Sequence, residues 1–178
     1  QLDLDVGYVM QGGLRDRSLY KDSPLAVSFI TKDNNSQFSF DIVPISDQEV
    51  LLSDFTSNED WSKKVQLGDT VSTPVGVLVV NNTGIPLTKF KKKVITVNKR
   101  RLKDATTRYR RAVSVSLESK NGGALNITMN DTDIKRAEDV INTLIAKYNE
   151  DAIADKNRLA VNTARFIDDR LEIISQEL

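Results

Sequence analysis

The sequence predicts an α+β fold: a mainly antiparallel sheet with a strand–helix–strand–strand–helix core, a β-rich N-terminal half and a long, protruding C-terminal helix. Three observations carry this reading. All four prolines and six of the eight glycines lie before residue 87, where short runs alternate apolar and polar residues with period two. After residue 93 the pattern changes to a basic helical run and two more alternating strands. From Asp131 onward there is neither glycine nor proline, so the run reads as one helix extending roughly 70 Å.

The elements follow in order. Leu4, Val6 and Tyr8 alternate toward a turn at Gly12-Gly13. Leu25, Val27 and Phe29 alternate, and Asp33-Asn34-Asn35 supplies the next turn. Phe38, Phe40 and Ile42 give a half-buried strand, as do Val75, Val77 and Val79. Residues 53–64 suggest a short turn or helix around Trp61, and residues 61–69 a surface crossing. Residues 94–97 form a strand. Residues 100–111 form a basic helix with Leu102, Ala105, Tyr109 and Ala112 on its buried face. Val113, Val115 and Leu117 then pair with Leu125, Ile127 and Met129 across the turn signal Asn121-Gly122-Gly123. Such an order places helices on one face of an antiparallel sheet.

The last helix divides the chain into a base, residues 1–130, and an arm, residues 131–178. Asn130 and Asp131 are N-cap candidates, and Asp131 and Asp133 suit the positive helix end. Ile134, Ala137, Val140, Ile141, Leu144, Ile145 and Tyr148 form one apolar stripe, expected to pack on the base. Beyond Tyr148 a narrower seam persists through Ala152, Ile153, Leu159, Phe166, Ile167, Leu171, Ile174 and Leu178 among many charges. A seam that continues so far is expected to find a partner helix or subunit, against the alternative of a solvated terminal helix that frays. A helix this long, and a first strand without an initiating methionine, suggest a piece of a larger protein.

Composition excludes most chemistry. The 178 residues include no cysteine and no histidine, which removes disulfides, thiolate metal sites and the usual general base. No Gly-rich phosphate loop or nucleophile elbow is present, and Asp168 and Asp169, adjacent on a helix, point to different faces. Asn81-Asn82-Thr83 and Asn126-Ile127-Thr128 match the glycosylation sequon, a tripeptide that arises often by chance. The net charge of zero hides an asymmetry. Residues 89–111 carry eleven Lys or Arg against Asp104, a surplus of ten, so the remainder carries a net charge of −10. Lys99, Arg100, Arg101, Lys103, Arg108, Arg110 and Arg111 are therefore candidates for an anion-binding face, against the alternative of a solvated helix face. Phe90 and Tyr109 alone make no stacking platform, so nucleic acid is not indicated.

Three stretches carry a family resemblance. Residues 131–150 (DTDIKRAEDVINTLIAKYNE) resemble the start of the long helix in bacterial polysaccharide co-polymerases, the Wzz-type chain-length determinants. Asp155-Lys156-Asn157, Val161-Asn162-Thr163 and Phe166-Ile167-Asp168-Asp169-Arg170-Leu171 are similar to members fused to a tyrosine autokinase, particularly those of Bacteroides-like bacteria. Leu14-Arg15-Asp16-Arg17-Ser18-Leu19-Tyr20-Lys21-Asp22-Ser23-Pro24 resembles the basic segment that leads into Leu-Tyr-x-x-Ser-Pro in the same group. The resemblance is closest in the last ~50 residues and loose between 35 and 90.

The resemblance implies a periplasmic α/β domain held between two transmembrane helices of an inner-membrane protein, with a helical hairpin of which this chain holds the first arm. It implies homo-oligomeric rings that set the length of O-antigen, capsule or exopolysaccharide. Implied partners are a polysaccharide polymerase and an outer-membrane export protein, with glycan itself as a further candidate. It implies no cofactor and no catalytic residue in this part, although a cytoplasmic kinase can follow in the autokinase branch. Phe166, Ile167, Leu171 and Ile174 become the expected lateral contacts. Two other readings stay open: a module that grips an acidic polysaccharide, and a helical adaptor unrelated to polysaccharide.

Overall fold

The computed structural model describes residues 2, 4–12, 15–30, 34–118 and 123–176. The expected turns at Gly12-Gly13, Asp33-Asn34-Asn35 and Asn121-Gly122-Gly123 fall partly outside these residues, as do Leu14 and Leu178. The fold is α+β. Two compact units divide it, residues 1–137 and 138–178, so the boundary lies inside the last helix rather than before it.

The first unit is built on an antiparallel six-stranded sheet of order β2-β1-β9-β4-β5-β6. Its strands are β1 (Val6–Met10), β2 (Arg17–Ser18), β4 (Phe38–Pro44), β5 (Glu49–Ser53), β6 (Lys63–Gln66) and β9 (Ile95–Lys99). A second sheet, order β3-β8-β7, contains β3 (Leu25–Phe29), β7 (Thr70–Thr73) and β8 (Gly76–Asn82). Strand β9 is central: Val97 pairs with Tyr8 of β1 on one side and with Phe40 of β4 on the other. Gly76, at φ 113°, opens β8 after a tight turn in a conformation that costs residues with a Cβ dearly.

The core draws on both sheets. Phe40, Ile42, Val50, Leu52, Ile95 and Val97 from the large sheet join Leu25, Val71, Leu78 and Val80 from the small one. Phe40 stacks on Phe55 with ring centres 4.7 Å apart, and Trp61 meets Phe55 edge-on at 5.0 Å. Edge-to-face and stacked rings of this kind add to plain area burial. Trp61 thus sits beside a turn that leads into β6, where a surface crossing was expected. In β8 the buried positions are Leu78 and Val80, not the alternating set Val75, Val77 and Val79. Both faces of that strand are apolar, so its parity was not readable from alternation.

Helix α1 (Leu102–Ala112) follows β9 at once and buries Ala105, while Leu102 stays exposed. Strands β10 (Val113–Leu117) and β11 (Leu125–Met129) form a ribbon of their own. The strand–helix–strand–strand–helix order is present along the chain, but only β9 of its three strands belongs to the main sheet. The residues Val115, Leu117 and Leu125 of the ribbon are exposed.

The final helix, α2 (Ile134–Gln176), has 43 residues and at 1.5 Å per residue is about 65 Å long. Its cap is Asp133, whose carboxylate accepts the Arg136 backbone N–H at 3.2 Å, rather than Asn130 or Asp131. In the second unit, Leu144, Ile145 and Tyr148 are exposed. No described helix is long and apolar enough to cross a membrane.

Candidate functional site

The basic block starts at the end of β9. Alternation places Lys99 on the same side as buried Ile95 and Val97. Lys99 Nζ donates to an Asp5 carboxylate oxygen at 2.6 Å and to the Arg100 carbonyl at 3.0 Å. The two side chains are 5% and 9% exposed. Lys99 therefore leaves the expected interaction face: it is a paired core residue. Asp5 also anchors the next step, since its carbonyl accepts the Arg100 N–H at 2.8 Å. Arg100 and Arg101 point outward and are exposed.

Helix α1 then separates the remaining cations. Lys103 and Arg110 are seven residues apart and share one side, whereas Arg108 lies about 140° around the helix from Lys103. Lys103 and Arg110 line a groove with Asn34, Asn35 and Thr106. Arg101 joins Gln37 and Thr56 in another hollow. Lys89, Lys91, Lys92 and Lys93 lie at a further place, within and after the short 3-10 helix Leu87–Phe90. The block is thus not one face, because a central strand and two sides of a helix distribute its charge.

One concavity gathers several of these groups. A partly open cleft of about 340 Å³ is lined by Tyr8, Tyr20, Arg100, Arg108, Tyr109 and Arg136, with Asn98 and Ser18 among its polar groups. Tyr8 comes from β1, Tyr20 from the 3-10 turn Tyr20–Asp22, Arg108 and Tyr109 from α1, and Arg136 from the first turn of α2. The Tyr8 hydroxyl accepts the Val27 N–H at 2.8 Å, which fixes its ring. The Arg108 guanidinium lies 5.8 Å from the Tyr109 ring centre and Arg136 lies 5.9 Å from that of Tyr20, both in cation–π range.

Arg136 is held in place. It makes a two-point contact with Asp131, including Nε to Oδ2 at 3.0 Å, and its guanidinium also reaches Ser18 Oγ at 3.3 Å. The Arg136 and Asp131 side chains are 11% and 3% exposed. Burial pushes the Asp131 carboxyl upward, but hydrogen bonds from Arg136 and the Asp133 N–H outweigh it and hold it below the usual range. The Asp131 contact likewise raises the Arg136 guanidinium. Next to it, the Lys135 ammonium lies 3.0 Å from Asp22 and lowers that carboxyl. Arg136 and the three tyrosines were not among the sequence candidates.

The other candidate is the α2 seam. Phe166, Ile167 and Leu171 are 60%, 51% and 58% exposed, and the Ile174 side chain lies outside the described set. Ile145, Ile153, Leu159, Phe166, Ile167 and Leu171 fall within an arc of about 140° at 100° per residue. Arg170 sits over the Phe166 ring at 5.6 Å, one turn away. Among the described residues no group of acids could hold a metal ion. No protein-family model matches this chain, and no curated protein matches it significantly.

Proposed function

We propose that this chain is the non-catalytic scaffold domain of a polysaccharide co-polymerase, the periplasmic part of an inner-membrane protein that assembles with its own copies. In that role it regulates chain length or export of capsule, exopolysaccharide or O-antigen. The observation that carries the reading is the exposed apolar seam of α2, running on one side from Ile145 to Leu171. Fully burying side chains of this kind is worth about 1.5–3 kcal/mol each, so a helix that leaves several in water gains by pairing. The resemblance of residues 131–171 to the helical arm of the co-polymerases supplies the kind of assembly. Exposed Arg101, Lys103, Arg110 and Arg111 would meet acids of a neighbouring copy, since the chain outside residues 89–111 carries a net charge of −10.

The test is made in cells that produce the polysaccharide. Replacing Phe166, Ile167 and Leu171 together by Glu shifts the length distribution of the polymer on a gel if the seam serves assembly. An unchanged distribution, with the variant present at parental abundance, contradicts the proposal.

A further inference from the structure

The geometry points to a binding site for an acidic sugar residue in the cleft between β1, α1 and the start of α2. Its charge is unbalanced in favour of an anion. Asp5, the acid on its wall, is neutralised by Lys99 at 2.6 Å, and Arg136 is matched by Asp131. Arg100 and Arg108 remain as exposed cations that line the cleft, able to offer a carboxylate paired N–H donors. Its walls are also aromatic. Tyr8, Tyr20 and Tyr109 are among the residues that line the cleft, and aromatic rings are surfaces against which the C–H face of a pyranose packs. The Arg108 guanidinium lies within 6 Å of the Tyr109 ring centre, so an aromatic ring and an anion donor stand side by side.

A bare phosphate has no use for the rings, and a neutral sugar carries no charge to match the two guanidinium groups. A carboxylated sugar uses both. The cavity, about 340 Å³, lies in the range of small-ligand sites and accommodates one or two units of a longer chain that leaves through the open side. The acidic-glycan identity rests on the proposed polysaccharide role, whereas the site rests on the first unit alone.

The experiment is a calorimetric titration of the full chain with a hexasaccharide that contains glucuronate, a neutral hexasaccharide and inorganic phosphate. The glucuronate probe binds and weakens as salt is raised; the neutral probe does not bind. Arg100→Ala with Arg108→Ala weakens binding by about tenfold or more, while Arg110→Ala, on another side of α1, leaves it unchanged. Tyr109→Leu weakens the glucuronate probe but not phosphate. Absence of binding overturns the site. Equal binding of phosphate, insensitive to Tyr109→Leu, makes it a simple anion site such as a lipid phosphate would fill, and overturns the sugar assignment. Either failure, with the α2 substitutions still altering polymer length, leaves the scaffold proposal standing.

Discussion

Lys99→Met keeps a long flexible side chain at the end of β9 and removes its charge, leaving the Asp5 carboxylate 9% exposed without its counter-ion. Removing one partner of a buried pair costs about 3–5 kcal/mol, because the surviving charge stays desolvated. In a chain of this size each kcal/mol moves Tm by about 2–4 °C, so the expected fall is roughly 6–20 °C. Urea unfolding followed by Trp61 fluorescence reads the same loss as a lower midpoint with an unchanged slope. Asp5→Leu combined with Lys99→Met removes both charges and recovers most of the loss, as paired apolar replacements of buried ion pairs do. The reasoning fails if Lys99→Met costs no more than the ~1 kcal/mol of an exposed pair, or if the double variant is as unstable as the two single losses added. Either result would mean that water reaches Asp5 and that the inward course of β9 is wrong at its last residue.

Three other outcomes follow. Asp131→Asn costs about 3 kcal/mol at neutral pH by stranding the buried Arg136 guanidinium. Because the native Asp131 carboxyl is depressed below 3.8, that contribution is complete above 3.8 and fades as pH falls below it, so urea midpoints of parent and variant converge in acid. Asp41 behaves oppositely: burial first, then Asp54, raises its carboxyl against the Thr96 hydrogen bond, so native protein holds the extra proton just above 3.8. Stability from this group therefore declines as pH rises above 3.8, and Asp41→Asn gains on the parent in the same direction in the same assay. Phe40→Ala, in the middle of the stacked rings, costs about 3–5 kcal/mol, measured as a loss of urea midpoint.

What the sequence disclosed depended on how local each signal was. The run Phe38-Phe40-Ile42 fixed its strand and buried face, since polar residues mark the opposite side, and residues 94–97 were legible as a strand. The glycine-free tail marked α2 as plainly. Strand β8 misled because Leu78 and Val80 alternate as well as Val77 and Val79. Lys99 was legible in principle: period two from Ile95 and Val97 points it inward, but the run Lys99-Arg100-Arg101 reads as uniform surface charge. The two-sheet core was not legible, because β1 pairs with β9 across some ninety residues and alternation carries no partner. The cleft was hidden for the same reason. Tyr8, Tyr20, Arg108 and Arg136 come from four separate elements, and no spacing along the chain brings them together.

Assembly through α2 is the central claim, and the most direct measurement is the mass of the protein in solution, with and without Glu at positions 166, 167 and 171. The account predicts a closed homo-oligomer for the parent and a shift to monomers or small fragments of the ring for the variant, with circular dichroism of the base unchanged. A parent protein that is monomeric, or an oligomer whose size the three substitutions leave intact, contradicts it.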